Sequence, residues 1–191
     1  LEEWRKRMGT QYADRIRDIS AMRGTSMHTY LEGYIKDERH LDLTALGQEA
    51  GRMANVVIRS GLGDLEEVWG TEVTLYYPGL YAGATDVAGI YDGRESIIDF
   101  KQTNKPKQRE WIDDYFTQLA AYAMAHNYVY NTQIQSGIIL MCSKDGFFQK
   151  FEVLDKEFQG YMHTFLKKVE QYYANCTKDK DGQGTKNDEK V

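Results

Sequence analysis

The chain has 191 residues, a size that suits one domain built around a single core. Hydrophobic residues make up 41% and charged residues 28% of the sequence, which argues against a disordered chain, and no apolar run approaches the ~20 residues of a membrane span. The net charge of −5 argues against a protein that coats nucleic acid with its whole surface, although a local basic channel stays possible.

Cysteine content and the first residues of the chain indicate an intracellular protein. Cys142 and Cys176 are too few for a disulfide scaffold or for the four thiolates of an iron–sulfur cluster. The start has neither an initiator Met nor an apolar signal region, which indicates that a leading segment has been trimmed. The P-loop motif is missing as well. We therefore expect no iron–sulfur cluster, no bound nucleotide and no membrane partner.

The N-terminal third of the sequence predicts helices. A helix with charges almost all round is predicted over residues 2–19, and Gly24 is expected to break the chain. Thr25 or Ser26 can cap a second helix that runs to about residue 37. A third helix follows Asp42 or Thr44 and is predicted to end near residue 61, with apolar residues on one face.

The period of the apolar residues then changes to that of β-strands. Strands are predicted over residues 68–77, 80–91 and 96–101, and Asp92-Gly93 is a two-residue hairpin signal between the last two. Further along the chain we expect a helix over 108–126, a hairpin of strands 136–142 and 147–153, and a helix over 155–173. This order predicts an α/β fold, with a central mixed sheet flanked by helices.

One domain is predicted over residues 1–177, with N-terminal helices in 1–61 and the sheet and later helices in 65–175. From Lys178 onward the sequence is polar and contains no aromatic residue. Such a segment cannot bury enough apolar surface to offset the entropy of ordering, so residues 178–191 are predicted to be a disordered tail.

The third predicted strand carries charges where a buried strand should be apolar. Asp99 and Lys101 lie two residues apart, so both side chains project from the same face. Pairing through the predicted hairpin turn places Asp86 roughly opposite Asp99. Two adjacent carboxylates repel each other unless a cation joins them, and oxygen ligands favour Mg²⁺ or Mn²⁺. The alternative is an acid–base pair on an exposed sheet face.

Two predicted helices carry polar residues one turn apart. His28 and Glu32 have this spacing on the second helix. The long helix has a polar and aromatic face made of Trp111, Tyr115, Gln118 and Tyr122. Each feature alone is more typical of a surface or a packed core than of a functional site.

The loop before the long helix is basic. Four cations occur within nine residues, with no acid among them: Lys101, Lys105, Lys107 and Arg109. This loop is expected to contact phosphates, with a solvated loop as the alternative. The aromatic residues of the adjoining helix could stack the bases of a single strand. Arg23 is a further candidate cation on the N-terminal side.

Taken in chain order, these motifs resemble a known nuclease family. They are Gly24-x-x-x-His28-x-x-x-Glu32, Gly83-x-x-Asp86, Asp99-x-Lys101 and Gln118-x-x-x-Tyr122. The set resembles the RecB-type branch of the PD-(D/E)XK nuclease superfamily over about residues 4–153. Within that branch the chain is most similar to mitochondrial and phage exonucleases. The resemblance implies a restriction-endonuclease-like core.

The resemblance also implies a role for each residue. One or two divalent cations, Mg²⁺ or Mn²⁺, would be held by His28, Asp86, Asp99 and the carbonyl of Phe100. Lys101 would position the attacking water or help to deprotonate it. A further active-site carboxylate is implied in the first strand. It is assigned to Glu72, with Glu66 and Glu67 as alternatives.

Outside the metal site, the implied roles are substrate contact and support. Gln118 and Tyr122 match a family motif that contacts substrate or orients Lys101. Glu32 would orient His28. The basic loop and its aromatic neighbours would contact DNA: Lys105, Lys107, Arg109, Trp111 and Tyr115.

The expected function is a Mg²⁺- or Mn²⁺-dependent deoxyribonuclease acting in DNA replication, repair or recombination. We expect an exonuclease that prefers single-stranded DNA or frayed ends. One alternative is a structure-specific or flap endonuclease of the same fold, and another is a catalytically inactive DNA-binding module. The expected compartment is the cytoplasm of a phage-infected bacterium or the mitochondrial matrix.

Overall fold

The computed structural model describes residues 3, 7 and 9–183, with side chains as far as Cys176. Its helices and strands are, in chain order, α1 (Thr10–Ile35), α2 (Ala45–Gly61), a 3₁₀ turn (Leu62–Asp64), β1 (Leu65–Tyr77), β2 (Tyr81–Tyr91), β3 (Arg94–Thr103), a 3₁₀ turn (Arg109–Trp111), α3 (Asp113–Tyr130), β4 (Ser136–Ser143), β5 (Phe148–Leu154) and α4 (Asp155–Gln183). Over these residues, no helix combines the length and apolar character needed to cross a membrane.

The first helix differs from its prediction. α1 continues through Gly24, where a break was expected, and Thr25 donates to the carbonyl of Ala21 inside the helix instead of capping a new one. A Cβ on Gly24 would lie 3.3 Å from Cγ of Gln102 on β3, so the glycine allows the helix to approach the sheet closely. The predicted start at residue 2 lies outside the described residues.

α2 begins as predicted. The Thr44 hydroxyl accepts a hydrogen bond from the N–H of Gly47 at 3.0 Å, which caps the first turn of the helix. The apolar face of α2 then packs with α1 against the sheet through Met53 and Val57, both buried.

The five strands form one mixed sheet in the order β1-β2-β3-β4-β5. β3 and β4 are parallel and are joined through α3, while the other neighbours are antiparallel. The two-residue turn between β2 and β3 has positive φ at both Asp92 (47°) and Gly93 (70°), as a type I′ turn requires. The predicted α/β class, with a central mixed sheet flanked by helices, is confirmed.

The two sheet faces bury separate cores. α1 and α2 cover one face, where buried side chains include Met27, Leu31, Val57, Ile98, Phe100 and Leu140. α3 and α4 cover the other, where they include Ile97, Phe116, Leu119, Ile139 and Phe158. Because side chains alternate along a strand, Asp99 and Lys101 share the α3 face with Ile97.

β2 and β3 separate beyond the pair Val87–Ile98. The N–H of Phe100 donates to Oδ2 of Asp86 at 2.6 Å, so a carboxylate takes the place of a backbone acceptor. Residues of α1, β1, β2 and β3 lie next to one another around this gap in the sheet.

α4 continues to Gln183. Residues 178–183, the start of the predicted tail, are therefore helical, and residues 184–191 lie outside the described part of the chain.

Candidate active site

Three potential metal ligands meet beside the gap between β2 and β3. They are His28 from α1, Glu72 from β1 and Asp86 from β2, and each offers a ligand atom within 4.8 Å of the others. The pairs Thr71–Val87 and Val73–Thr85 flank Glu72 and Asp86, which places these two carboxylates side by side. Glu72 has a φ of 48°, a left-handed conformation that is costly for a residue other than glycine and is concentrated at functional sites.

The carboxylate of Asp86 connects helix and sheet. Its Oδ1 lies 3.1 Å from Nδ1 of His28, while its Oδ2 accepts the N–H of Phe100. Burial opposes protonation of His28, but the hydrogen bond and charge of Asp86 leave the pKa of the imidazole raised. The N–H and C=O of one strand residue point toward the same neighbouring strand, so the Phe100 carbonyl faces this gap as well.

Repulsion between acids is visible at Glu72. Burial, followed by the charges of Asp86 and Glu32, raises the pKa of the Glu72 carboxyl above its ordinary value. A bound cation would remove this repulsion.

Asp99 and Lys101 form a mostly buried ion pair, with Nζ of Lys101 2.5 Å from Oδ2 of Asp99. Oδ2 is shielded from solvent and lacks a well-aligned hydrogen bond from any described residue. Burial raises the pKa of Asp99 against the opposing effect of the Lys101 ammonium. Burial would lower the pKa of Lys101, but the Asp99 charge outweighs it and the ammonium form is favoured.

α3 supplies a polar chain that leads to Lys101. The Lys101 ammonium donates to Oε1 of Gln118 at 3.4 Å, and Nε2 of Gln118 donates to the Tyr122 hydroxyl at 2.8 Å. The ring of Tyr115 lies 5.1 Å from Nζ of Lys101, within reach of a cation–π contact. Gly83 leaves room for Tyr122, because a Cβ there would lie 2.7 Å from Cε1 of the ring.

The predicted basic loop is only partly available to a substrate. Lys105 is exposed and Lys107 half-buried. Arg109 instead donates to the carbonyl of Glu152 and to the Glu157 carboxylate, each at 2.8 Å, and stacks on Phe116. The loop itself contains no acid, but α4 supplies one, so the prediction that Arg109 is a substrate contact is not supported by its position. Trp111 is 64% exposed at the end of this loop.

Glu32 and Arg23 make contacts that differ from those expected. Glu32 pairs with Lys36 at 2.5 Å, and no hydrogen bond joins it to His28 in the described structure. Arg23 is fully buried rather than exposed to a substrate. Its guanidinium donates to three acceptors: Gln102 at 2.9 Å, Asn104 at 2.5 Å and Glu49 at 3.1 Å.

The residues present fit a divalent cation. Carboxylate oxygens, one imidazole and a strand carbonyl are suitable ligands for Mg²⁺ or Mn²⁺. The buried Asp99 oxygen without an aligned donor adds an acceptor that lies beside the Lys101 ammonium. The candidate ligands that lie together are His28, Glu72 and Asp86, whereas the expected set had Asp99 in the place of Glu72. Asp99 instead faces Lys101.

Sequence reasoning missed the role of Gln102, which fixes α1 to β3 by accepting from Arg23 and by donating from Nε2 to the carbonyl of Ser20 at 3.0 Å. A polar residue directly after Lys101 in a strand with an apolar core was the available signal. It also missed a cavity beside Tyr122, for which the sequence carries no local pattern because its walls come from three separate elements.

Comparisons with known proteins agree with the motif resemblance. No protein-family model matches the chain. The chain is 27% identical over 183 residues to the mouse protein Mitochondrial genome maintenance exonuclease 1, covering 90% of this chain and 53% of that protein. It is 28% identical over 186 residues to the human protein of the same name, covering 90% of this chain and 52% of the relative. The chain thus spans about half the length of these relatives.

A solved structure shares the fold. A protein from Eubacterium rectale, provisionally named an exonuclease, superposes with a TM-score of 0.61 at 16% identity, covering 86% of this chain and 68% of the other. The RecB-type branch is not tested by these similarities and stays a prediction. The chain is therefore similar in sequence to proteins named as mitochondrial genome maintenance exonucleases and shares its fold with a structure named as an exonuclease, in agreement with the nuclease resemblance of its motifs.

Proposed function

We propose that this chain is a divalent-metal-dependent DNA exonuclease that hydrolyses phosphodiester bonds and prefers single strands or free ends. The observation that carries the proposal is the convergence of His28, Glu72 and Asp86 beside the buried pair of Asp99 and Lys101. The relatives named as exonucleases support the same reaction.

His28, Glu72, Asp86 and the Phe100 carbonyl would hold the cation, Mg²⁺ or Mn²⁺, with Asp99 completing the set. When bound, the cation supplies Lewis acidity toward a phosphate oxygen and lowers the pKa of water. Asp86 has a structural role in addition, because it satisfies the Phe100 N–H and orients His28 at the same time. Glu72 contributes negative charge from the neighbouring strand.

Lys101 acts on the water and on the phosphate. Its raised pKa keeps it as an ammonium, which suits it to orient a water through its lone pair and to stabilise charge on phosphate oxygens rather than to act as a free base. Asp99 holds the ammonium from one side and Gln118 from the other, so the position of Nζ is fixed before substrate arrives. Tyr122 in turn fixes Gln118.

The DNA preference rests on the surroundings of the site. Lys105 and Lys107 lie on the loop that follows β3 and would contact phosphates. Trp111 and Tyr115 would stack on bases of the substrate. The faces of the bases are accessible in a single strand but not in a duplex.

A cleavage assay tests the proposal. Linear single-stranded DNA labelled at the 5′ end, the same strand labelled at the 3′ end, and a circular single strand are incubated with Mg²⁺, with Mn²⁺ or with a chelator. We expect metal-dependent loss of the linear strands and survival of the circle, with the two labels reporting polarity. Asp99→Ala should abolish cleavage, whereas the matched surface variant Asp64→Ala, at the far end of the β1–β2 hairpin, should cleave normally.

Other outcomes would identify the alternatives. Nicking of the circle would replace the proposal with an endonuclease of the same fold. DNA binding without cleavage under any metal would indicate an inactive binding module. Equal cleavage by Asp99→Ala would refute the site. The names of the relatives favour the mitochondrial matrix as the compartment, and the cytoplasm of a phage-infected bacterium is the other proposed setting.

A further inference from the structure

A cavity of about 320 Å³ lies beside the proposed catalytic lysine, between α3, the start of β2 and α4. Gln118 and Tyr122 form its inner wall, and they are the residues that connect to Lys101. The cavity therefore begins where the polar chain from the active site ends. Its volume falls at the small end of the range seen for ligand pockets.

The outer walls of this cavity are aromatic. Tyr81 and Phe165 line it together, with their ring centroids 4.7 Å apart in an edge-to-face arrangement. The Tyr81 hydroxyl donates to the carbonyl of Ala121 at 2.9 Å, which fixes the ring and satisfies its polar group. The cavity is thus lined by three aromatic rings, those of Tyr81, Phe165 and Tyr122.

The remaining polar capacity of the cavity comes from the Gln118 amide. An amide has two N–H donors and an oxygen with two lone pairs. Gln118 uses one donor toward Tyr122 and one acceptor position toward Lys101, so one of each is left. A donor and an acceptor next to aromatic rings match the edge and faces of a planar heterocycle.

The charges around the cavity argue against a phosphate as its occupant. Lys168 lines the mouth but is paired with Asp114 at 2.9 Å, so the mouth carries both signs. The ammonium of Lys101 lies beyond Gln118, at the proposed reaction centre. A nucleotide whose phosphate is held at Lys101 would therefore direct its uncharged part, the base, toward the cavity.

From this arrangement we infer that the cavity is a nucleobase subsite, which takes one base of a single-stranded DNA substrate adjacent to the bond being cleaved. The inference rests on the proposed nuclease function and adds Tyr81, Phe165 and the free groups of Gln118 as its binding elements. A duplex cannot fill this subsite without unpairing, which gives the preference for single strands or frayed ends a specific location.

The test is an abasic scan combined with one cavity variant. Single-stranded oligonucleotides that each lack one base at a successive position near the end are cleaved in Mg²⁺ or Mn²⁺. For the unmodified protein we expect the loss of one particular base to slow cleavage about tenfold, the size expected for one lost stacking contact. Phe165→Leu should slow cleavage of the intact strand by a similar factor and show no further loss when that base is missing.

The matched control is Phe147→Leu, the same substitution at a residue that is 54% exposed in the turn between β4 and β5. It should behave as the unmodified protein does. Cleavage that tolerates a missing base at every position, or a Phe165→Leu protein that still responds to the missing base, would overturn the inference and leave the nuclease proposal intact.

A different result separates the two proposals. If no strand is cleaved, the nuclease proposal fails, and binding of the same oligonucleotides by fluorescence anisotropy in Ca²⁺ tests the subsite alone. An about tenfold loss of affinity at one abasic position would support the subsite, whereas equal affinity at all positions would refute it. If Phe165→Leu does not fold, the abasic scan on the unmodified protein decides by itself.

Discussion

Replacing Gly83 with alanine should disturb the proposed catalytic lysine from a distance. Gly83 lies on β2 against the ring of Tyr122, and a Cβ there would lie 2.7 Å from Cε1, about 0.7 Å closer than the shortest ordinary contact of 3.4 Å. Tyr122 is held at 2.8 Å by Gln118, which contacts Lys101. Movement of the ring therefore acts on the group that fixes the ammonium.

The size of the effect follows from these distances. A ring displaced by about 0.7 Å away from Gly83 can lengthen its bond to Gln118 from 2.8 Å to at most about 3.5 Å, the limit of a hydrogen bond. Crowding costs roughly 1–3 kcal/mol of stability. Loss of one hydrogen bond costs about 1 kcal/mol, which is roughly fivefold in rate because about 1.4 kcal/mol corresponds to a factor of ten. We therefore expect cleavage about fivefold slower and a lower melting temperature.

The assay compares cleavage of a labelled single strand with a thermal melt of each variant. Gly63→Ala is the matched control, because no described neighbour lies within 4 Å of a Cβ at that position. The double variant Gly83→Ala/Tyr122→Leu removes the ring that is crowded, so it should be no less stable than Tyr122→Leu alone. A double variant that adds the full cost of Gly83→Ala, or a Gly83→Ala protein with normal rate and stability, would refute the reasoning.

Four further outcomes are expected. Lys101→Ala should lower turnover at least about a hundredfold with little change in metal affinity, and a calorimetric titration that shows lost metal binding would contradict its role. Lys105→Gln with Lys107→Gln should weaken DNA binding and reduce the slope of log K against log salt by ~0.7 per lost phosphate contact, whereas an unchanged slope would indicate a merely solvated loop. Gly160→Ala, on the exposed side of α4 with open space around it, should stabilise the protein by about 1 kcal/mol in a melt, and no rise would count against this helix. Burial lowers the pKa of His126, so the unfolded chain binds more protons and the folded state loses stability as pH falls through the ordinary value of 6.5. Between pH 7 and pH 5 the melting temperature of His126→Gln should therefore fall less steeply than that of the unmodified protein. Parallel curves for the two proteins would exclude this cause.

The predictable part of the site depends on short-range rules. Asp92-Gly93 can adopt the two left-handed conformations of a tight turn, and this turn fixes the register of β2 against β3. That register ends at the pair Val87–Ile98, so Asp86 and Asp99 are the next residues on their strands, and strand alternation puts Asp99 and Lys101 on one face. Local sequence was sufficient because each step spans only a few residues.

The three glutamates of β1 differ in how well a register count can place them. From the turn between β1 and β2 the pairing keeps one register as far as Gly70, which places Glu72 opposite Asp86. The ladder shifts between Val68 and Gly70 and again between Leu65 and Glu67, so the same count misplaces Glu66 and Glu67.

Partners that are distant in the sequence account for the other differences between expectation and structure. Arg109 was expected to be free because its own loop has no acid, but Glu157 on α4 binds it. Gly24 was expected to end a helix because glycine is a poor helix former, but the approach of Gln102 from β3 requires a small residue there. Neither contact can be derived from spacing along the chain.

The buried guanidinium of Arg23 determines how accurately the site can be assembled. It lies five residues before His28 on α1 and binds acceptors on β3, on the loop that follows it and on α2. A shift of α1 along its axis by a single residue would move His28 by about 1.5 Å and would leave a buried positive charge without its acceptors. The spacing between the proposed ligand on the helix and the proposed ligands on the sheet is therefore set by a residue outside the ligand set, and these three hydrogen bonds favour one axial position of the helix.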